Sequence, residues 1–402
     1  MNATDLLDPT DEAPLAARAV FAVLSRLERG RLVLVTPEGI RRQFAGREPG
    51  PHAELAVHDY RAFGRIARGA EIGLFEAWGD GDVATPDLTQ LLRLAAANHE
   101  ALGRIFRGGP WTRVLLRLAH ALRANTRAGS RRNIHAHYDV GNAFYGLWLD
   151  PSMTYSSALF TAPGQDLAAA QRAKYDRIIE ALALVPGDRV LEIGCGWGGF
   201  AERAAARIGC SVTGLTLSRA QLDFARERIA RAGLDERVDL QFRDYRDATG
   251  SYDRIVSIEM VEAVGERYWP GYFRTLHDRL RPGGRAMLQS ITIDERAFDA
   301  YRGSSDFIRE YIFPGGMLPT VTRLREEARR AGLEPAGTFR FGRDYAETLR
   351  RWRTAFDAAE PRVRALGFDD AFLAAWRFYL HYCEAGFEEG RVDVVQLELA
   401  RP

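Results

Sequence analysis

At 402 residues the chain is long enough for roughly two to three ordinary domains, and with 46% hydrophobic and 27% charged residues it has ample material for buried cores. The 55 basic and 54 acidic residues leave a formal charge of +1, which excludes whole-chain attraction to nucleic acid as a default. Three cysteines, Cys195, Cys210 and Cys383, show no CxxC or Cys/His metal spacing and point to a reducing cytoplasm. The first two dozen residues carry early acids without a basic stretch ahead of the apolar run, so no secretory signal is expected, and no run approaches 18 apolar residues.

Apolar residues recur at helical spacing from Ala16 to about Leu27, and Arg31 to Val35 then reads as a short strand before the turn Pro37, Glu38, Gly39. Helical patterning resumes at Pro86, with Thr85 as the expected N-cap and Pro86 at the first helical position. Between Ala101 and His135 stand eight arginines and no acid. Trp111, Val114, Leu115, Leu118 and Leu122 fall on one stripe there, with Arg113, Arg117 and Arg123 off it. That is the pattern of a basic amphipathic helix, which can rest on an anionic lipid surface or pack against a domain with its arginine face solvated. A linker, Ala124 to Arg132, closes this N-terminal part, giving an expected division into residues 1–130 and 131–402.

From Asp188 onward strands and helices alternate: RVLEI, a glycine turn, a helix from Phe200, SVTGL, a helix from Arg219, RVDLQF, YDRIVSI, a helix near Tyr268 to Leu280, and RAMLQSITI. This order predicts an α/β fold with a doubly wound, mostly parallel sheet, beside a smaller mixed or helical N-terminal domain. The remainder, Asp294 to Pro402, mixes loops with helices and ends in the strand-like VDVVQLEL.

The glycine turn is LEIGCGWGG, residues 191 to 199. Glycine turns serve dinucleotide oxidoreductases, methyltransferases and purely structural bends alike, so the neighbouring residues decide. Glu192 at the strand end offers a carboxylate to an ammonium. Thr216 stands where a dinucleotide site favours an acid for the ribose, and Asp244 after the third strand can accept from an adenine amino group. Together these favour S-adenosylmethionine over NAD.

From His137 to the C-terminus the chain resembles the cyclopropane fatty acyl phospholipid synthase family, which includes the mycolic acid methyltransferases. The matching stretches are HYDVGNAFY, DPSMTYSSALF, LEIGCGWGG, LTLSRAQ, RDYRD, DRIVSIEMVEAVG, YIFPGGMLP, FGRDYAETL and YLHYCEAGF. The first 130 residues resemble the family's N-terminal part only loosely, chiefly in LFEAWGDGDVATPDLTQLLRL. The resemblance implies a Rossmann-like class I methyltransferase whose methyl donor is surrounded by Tyr155, Ser156, Glu192, Gly194, Cys195, Gly196, Gly198, Thr216, Leu217, Ser218, Gln221, Asp244 and Tyr245. Gln221 then takes the ribose hydroxyls in place of the absent acid, or else it and Thr216 merely cap a helix.

The resemblance also implies chemistry on the cis double bond of an acyl chain in membrane phospholipid, with cyclopropane as the family's usual product and bicarbonate as the base. Glu262 and Tyr345 match the family's glutamate and tyrosine, but Ser157 stands at the cysteine position, Gln289 at the histidine position, and Ala263 replaces a common histidine. Glu259 ends the fourth strand where the family often has glycine. We therefore expect Glu259 to take part or all of the role of bicarbonate, against the plainer reading of an acid favourable to a helix dipole. Cys383 matches a cysteine often credited to the active site, although methyl transfer to an alkene needs no covalent enzyme intermediate and buried packing is its alternative role. His135 and His137 read as structural. The expected setting is cytoplasmic, peripheral at the inner face of the membrane, as a homodimer on a bilayer. Alternatives are a methyl- or methylene-branched product, a small-molecule N-methyltransferase, and a non-catalytic cofactor-binding membrane protein.

Overall fold

The computed structural model describes residues 14–103 and 140–402. The arginine-rich segment, the linker, His135, His137 and the expected boundary at 130 lie outside the described residues. The chain divides into two compact units, and the first takes in not only the N-terminal segment but also Ser304–Phe307 and Asp369–Arg391.

The first unit carries a four-stranded sheet in the order β2-β1-β3-β4, formed by β1 (Arg29–Val35), β2 (Arg41–Ala45), β3 (Glu48–Val57) and β4 (Val83–Ala84). The helix expected from Pro86 spans Leu88–Ala97, and its N-cap is Asp87 rather than Thr85. The Asp87 carboxylate accepts from Gln90 N at 3.0 Å, while the Thr85 hydroxyl, two residues earlier, accepts from Asp87 N at 3.3 Å. Phe75, Phe307 and Phe378 pack with ring centroids 4.7 to 5.2 Å apart, which fastens the late segments to this unit.

The second unit is built on seven strands in the order β10-β11-β9-β8-β5-β6-β7. They are β5 (Arg189–Ile193), β6 (Ser211–Thr216), β7 (Val238–Phe242), β8 (Tyr252–Ile258), β9 (Leu280–Ile293), β10 (Glu334–Arg340) and β11 (Val392–Ala400). β5 to β9 run parallel, whereas β11 pairs antiparallel with both β9 and β10. β10 is a strand that the sequence pattern did not reveal. Its residues EPAGTFR contain Pro335 and Gly337, which depress strand propensity, and the ladder shifts register between them.

Strand side chains alternate between the two faces, so consecutive residues enter different cores. Val190, Val256 and Met287 pack with the helices Leu167–Ala181, Gly199–Ile208 and Arg219–Arg231, while Leu191, Ile255 and Leu288 pack with Trp269–Arg279 and Val321–Arg330. Both faces are covered, which is why these strands read as near-continuous apolar runs. Ile255 is 0% exposed, and its truncation to alanine is expected to cost about 2–5 kcal/mol. Strand order reverses between β5 and β8, and such a reversal opens a crevice at the carboxyl ends of the strands.

Candidate active site

The glycine turn leaves β5 into the helix Gly199–Ile208, with Gly194, Gly196 and Gly198 all at positive φ. A Cβ on Gly198 would meet Ala225 at 3.1 Å, so that glycine serves helix packing. At Gly196, φ +51°, nothing lies within 4 Å of an added Cβ, so the backbone faces open space. Cys195 is buried beneath the turn, and burial holds its thiol well above the ordinary range. Trp197 Nε1 donates to Asn142 Oδ1 at 2.8 Å and Asn142 Nδ2 donates to Ala220 O at 2.8 Å, so the HYDVGNAFY motif ties the turn to the next helix.

Glu192 is 3% exposed, and its Oε2 has no hydrogen-bond partner among the described residues. Burial pushes its carboxyl up to about 8. After β6, Ser218 caps the helix Arg219–Arg231 by accepting from Gln221 N, and Thr216 Oγ1 donates to Gln221 Oε1 at 3.2 Å. Leu217 lies between them, partly exposed. Asp244 enters the site as half of an ion pair, bound by Arg246 at 2.6 and 2.8 Å, and Tyr245 packs edge-on against Tyr272. An orphaned buried oxygen and a glycine backbone facing open space both fit S-adenosylmethionine. Glu192, the 194–199 turn, Gln221 and Asp244 are the residues that could hold it.

The stretch Tyr155 to Phe160 is strapped along its length. Gln171 Nε2 donates to Ser156 O at 2.9 Å, Lys174 Nζ to Ser156 Oγ at 2.6 Å, and Asp344 Oδ1 accepts from Phe160 N at 2.6 Å. Tyr155 packs among Tyr145, Trp148 and Trp352, with centroids 5.3 to 5.7 Å away. Lys174, the only lysine in the sequence, is completely buried. Burial lowers its ammonium to about 7, opposed by the carboxylates of Glu259, Asp150 and Glu192. In the sequence Lys174 stands out only as the sole lysine among 55 basic residues, which reads as base composition rather than function, and Gln171 carries no mark at all.

Glu259 follows directly on β8, where its own N donates to Gln289 O at 2.8 Å. Its backbone has φ +50°, in the left-handed region that a non-glycine residue enters at a cost of about 1–2 kcal/mol. The carboxylate turns toward residues that meet it from elsewhere in the unit. Oε1 accepts from Ser157 N at 2.9 Å and from Gln289 Nε2 at 2.8 Å, and Oε2 accepts from Tyr345 Oη at 2.7 Å. The structure thus brings Ser157, Gln289 and Tyr345 together around Glu259. Burial raises the Glu259 carboxyl and the three donors oppose the rise.

Glu262 lies one short turn beyond. Its Oε1 accepts from Ile291 N at 2.5 Å and its Oε2 has no partner among the described residues. Burial and the neighbouring Glu259 push its carboxyl up to about 8. Both glutamates keep some accessible surface, as groups lining a crevice do. Cys383 lies on the helix Asp370–Glu388 of the first unit, where burial and then Asp306 raise its thiol. A raised thiol suits packing rather than nucleophilic chemistry.

The fold, the glycine turn and the acids flanking it define a class I S-adenosylmethionine-dependent methyltransferase. The family profile described as mycolic acid cyclopropane synthetase matches residues 125–397, and the chain belongs to that family. It is 40% identical over 404 residues to the tuberculostearic acid methyltransferase UfaA1 of Mycobacterium tuberculosis, covering 96% of this chain and 93% of that protein. It is 34% identical to the cyclopropane-fatty-acyl-phospholipid synthase of Escherichia coli strain K12, covering 87% and 88%. The crystal structure of mycolic acid cyclopropane synthase CmaA1 complexed with SAH and CTAB superposes with a TM-score of 0.64 at 31% identity, over 67% of this chain and 98% of that one.

Proposed function

We propose that the chain methylates the cis double bond of an unsaturated acyl chain in membrane phospholipid, and that Glu259 is the base which completes the reaction. The observation carrying this reading is the carboxylate of Glu259 held by Ser157, Gln289 and Tyr345, three residues at positions where the resemblance implies ligands of an external bicarbonate. A backbone held at positive φ by a side chain with three donors is strain kept for a purpose.

S-adenosylmethionine supplies a methyl group already activated on sulfur. The alkene is the nucleophile, so the protein's tasks are to orient the reactants, exclude water and receive a proton. As a C–C bond forms to the methyl carbon, its bond to sulfur breaks and the electron pair leaves with the demethylated donor; the alkene becomes a cation, which a nearby carboxylate stabilises. Glu259 then removes one proton, the C–H electron pair closes the product, and the proton leaves through the site to solvent. Two neighbouring carboxyls resist double ionisation. Glu259, with three donors, is the one suited to carry the charge, while Glu262, whose Oε2 has no partner among the described residues, holds its proton near neutral pH.

Loss of the proton from the transferred methyl gives a cyclopropane, whereas loss after a hydride shift gives a methylene branch. The branched product is the reading we favour. It is supported by 40% identity over nearly the whole chain to a tuberculostearic acid methyltransferase, and by the departures at Ser157, Glu259 and Gln289. The cyclopropane reading draws support from the E. coli relative. No helix among the described residues is long and apolar enough to cross a membrane, and we propose a peripheral placement at the inner face, as a homodimer.

Expression in a host with unsaturated phospholipids, followed by lipid mass spectrometry and proton NMR, tests this. A gain of one CH2 with vinylidene resonances marks the methylene branch, and the same gain with ring resonances marks cyclopropane. No lipid change, with methylation of soluble amines instead, would contradict the lipid reading.

A further inference from the structure

Behind Glu259 a chain of hydrogen bonds crosses the sheet with a fixed direction. Arg177, on the helix Leu167–Ala181, lies over the Phe339 ring at 3.9 Å from its centroid, and its Nη1 donates to Gln396 Oε1 at 2.6 Å. Gln396 Nε2 donates to Gln289 Oε1 at 3.0 Å, and Gln289 Nε2 donates to Glu259 Oε1 at 2.8 Å. The stations occupy one strand each. Phe339 of β10 stands opposite Gln396 of β11, Gln396 opposite Gln289 of β9, and Gln289 beside Ile258 at the end of β8.

Gln396 and Gln289 are 1% and 0% exposed, so water cannot satisfy either amide in another orientation. An amide's oxygen and nitrogen are close in shape, and its partners decide which faces which way. A guanidinium only donates. It turns Gln396 Oε1 toward itself, Gln396 then presents its N–H to Gln289, and Gln289 presents its own to Glu259. Ser157 N is a second donor on the same oxygen, and a backbone amide cannot reverse. A proton on Glu259 Oε1 would therefore face two N–H groups. On Oε2 it meets Tyr345, whose hydroxyl can turn from donor to acceptor.

We propose that Arg177 and Gln396 are positioning residues that act through Gln289 to keep Glu259 Oε1 an acceptor, so that the proton taken from substrate is confined to Oε2, beside Tyr345. This rests on the reading of Glu259 as the base. The charged and titratable groups facing Glu259 are Lys174 from the helix Leu167–Ala181, Glu262 from the turn after β8, and Tyr345 from the helix Gly342–Ala358. None of them is altered by the test.

Gln396→Glu keeps an acceptor for Arg177 but removes the donor to Gln289. Gln289 must then swing its amide nitrogen toward the new carboxylate and its oxygen toward Glu259, an arrangement tolerated only with a proton on Oε1. Turnover on dioleoylphosphatidylglycerol vesicles, read as release of the demethylated donor, should fall about 100-fold at neutral pH, and the acid limb of kcat should move up by about one pH unit. Affinity for S-adenosylmethionine and KM for the vesicles should hold. Arg177→Met, at a half-buried position that leaves the strands intact, should lose about tenfold, and Arg177→Lys, which keeps a donor-only head group, should regain most of it. A carbon-13 NMR titration of the Glu259 carboxyl in the free protein, assigned by its loss in Glu259→Gln, reads the same displacement without turnover.

An unmoved Glu259 titration and an unchanged pH profile in Arg177→Met and Gln396→Glu, with Glu259→Gln inactive, would overturn the relay and leave the base reading standing. Should Gln396→Glu not fold, Arg177→Met alone decides in the same way. Full activity of Glu259→Gln would instead remove the base reading itself.

Discussion

The Tyr345 hydroxyl donates to Glu259 Oε2 across 2.7 Å, linking a helix that begins at Gly342 to the end of a strand 86 positions earlier in the chain. The same carboxylate takes Ser157 N and Gln289 Nε2 on its other oxygen, so both oxygens are held from outside the strand that carries them. Glu259→Gln keeps the shape and can turn its amide N–H groups toward the Tyr345 hydroxyl, but it cannot accept a proton. We expect turnover to fall by at least about 100-fold, a loss of the order found for general bases, with S-adenosylmethionine affinity nearly unchanged by calorimetry. Equal losses in affinity and turnover would point to a collapsed site.

Gly196 offers a test of the methyl-donor site. Its backbone at φ +51° faces open space, so a side chain there occupies volume that the donor needs. Gly196→Val should abolish S-adenosylmethionine binding in calorimetry. It should also lower stability by about 1–2 kcal/mol through the left-handed backbone alone. Retained affinity in a folded variant would remove the turn from the site.

Buried ionisable groups give the free protein a defined stability profile. Glu262 and Glu192 titrate at about 8 when folded against 4.5 as free side chains, so the folded state holds more protons between those values. Their contribution is therefore complete below pH 4.5 and is lost as pH rises through 8. Lys174 titrates at about 7 when folded against 10.5, so the unfolded state holds the extra proton between those values and stability rises with pH there. Thermal melts should show Glu262→Gln flattening the fall between pH 5 and 8, and Lys174→Met removing the rise above pH 7. Profiles parallel to the parent would contradict these assignments.

The arginine-rich stretch from Arg104 to Arg132 reads as a helix that either rests on anionic lipid or packs against a domain, and salt dependence separates the two. Each arginine near the surface should contribute about 1 kcal/mol at low salt. Co-sedimentation with anionic vesicles should weaken as salt rises and when Arg113, Arg117 and Arg123 are changed to Gln. Equal sedimentation on neutral vesicles would count against the lipid reading.

Strands β5 to β9 and the glycine turn were legible because parallel strands covered on both faces are written as apolar runs, and because a turn that approaches a ligand needs glycine. The Ser157, Gln289 and Tyr345 set was legible only through resemblance, since nothing local marks those residues. The relay through Gln396 was not legible at all. Its members, Arg177, Gln289 and Gln396, come from a helix and two strands far apart in sequence, and a lone glutamine in VDVVQLEL reads as an ordinary interruption of an apolar strand. β10 escaped for the opposite reason, because its Pro335 and Gly337 read as loop.

Bicarbonate dependence distinguishes a base carried by the protein from one taken from solution. In carbon-dioxide-depleted buffer with dioleoylphosphatidylglycerol vesicles, the parent enzyme should keep its turnover, whereas Glu259→Gly should be inactive. That variant should regain activity on adding bicarbonate, which fits the space left among Ser157, Gln289 and Tyr345, and its relaxed backbone should make it no less stable than the parent. A parent enzyme that stops on depletion and recovers with bicarbonate, while Glu259→Gln remains active, would contradict the account.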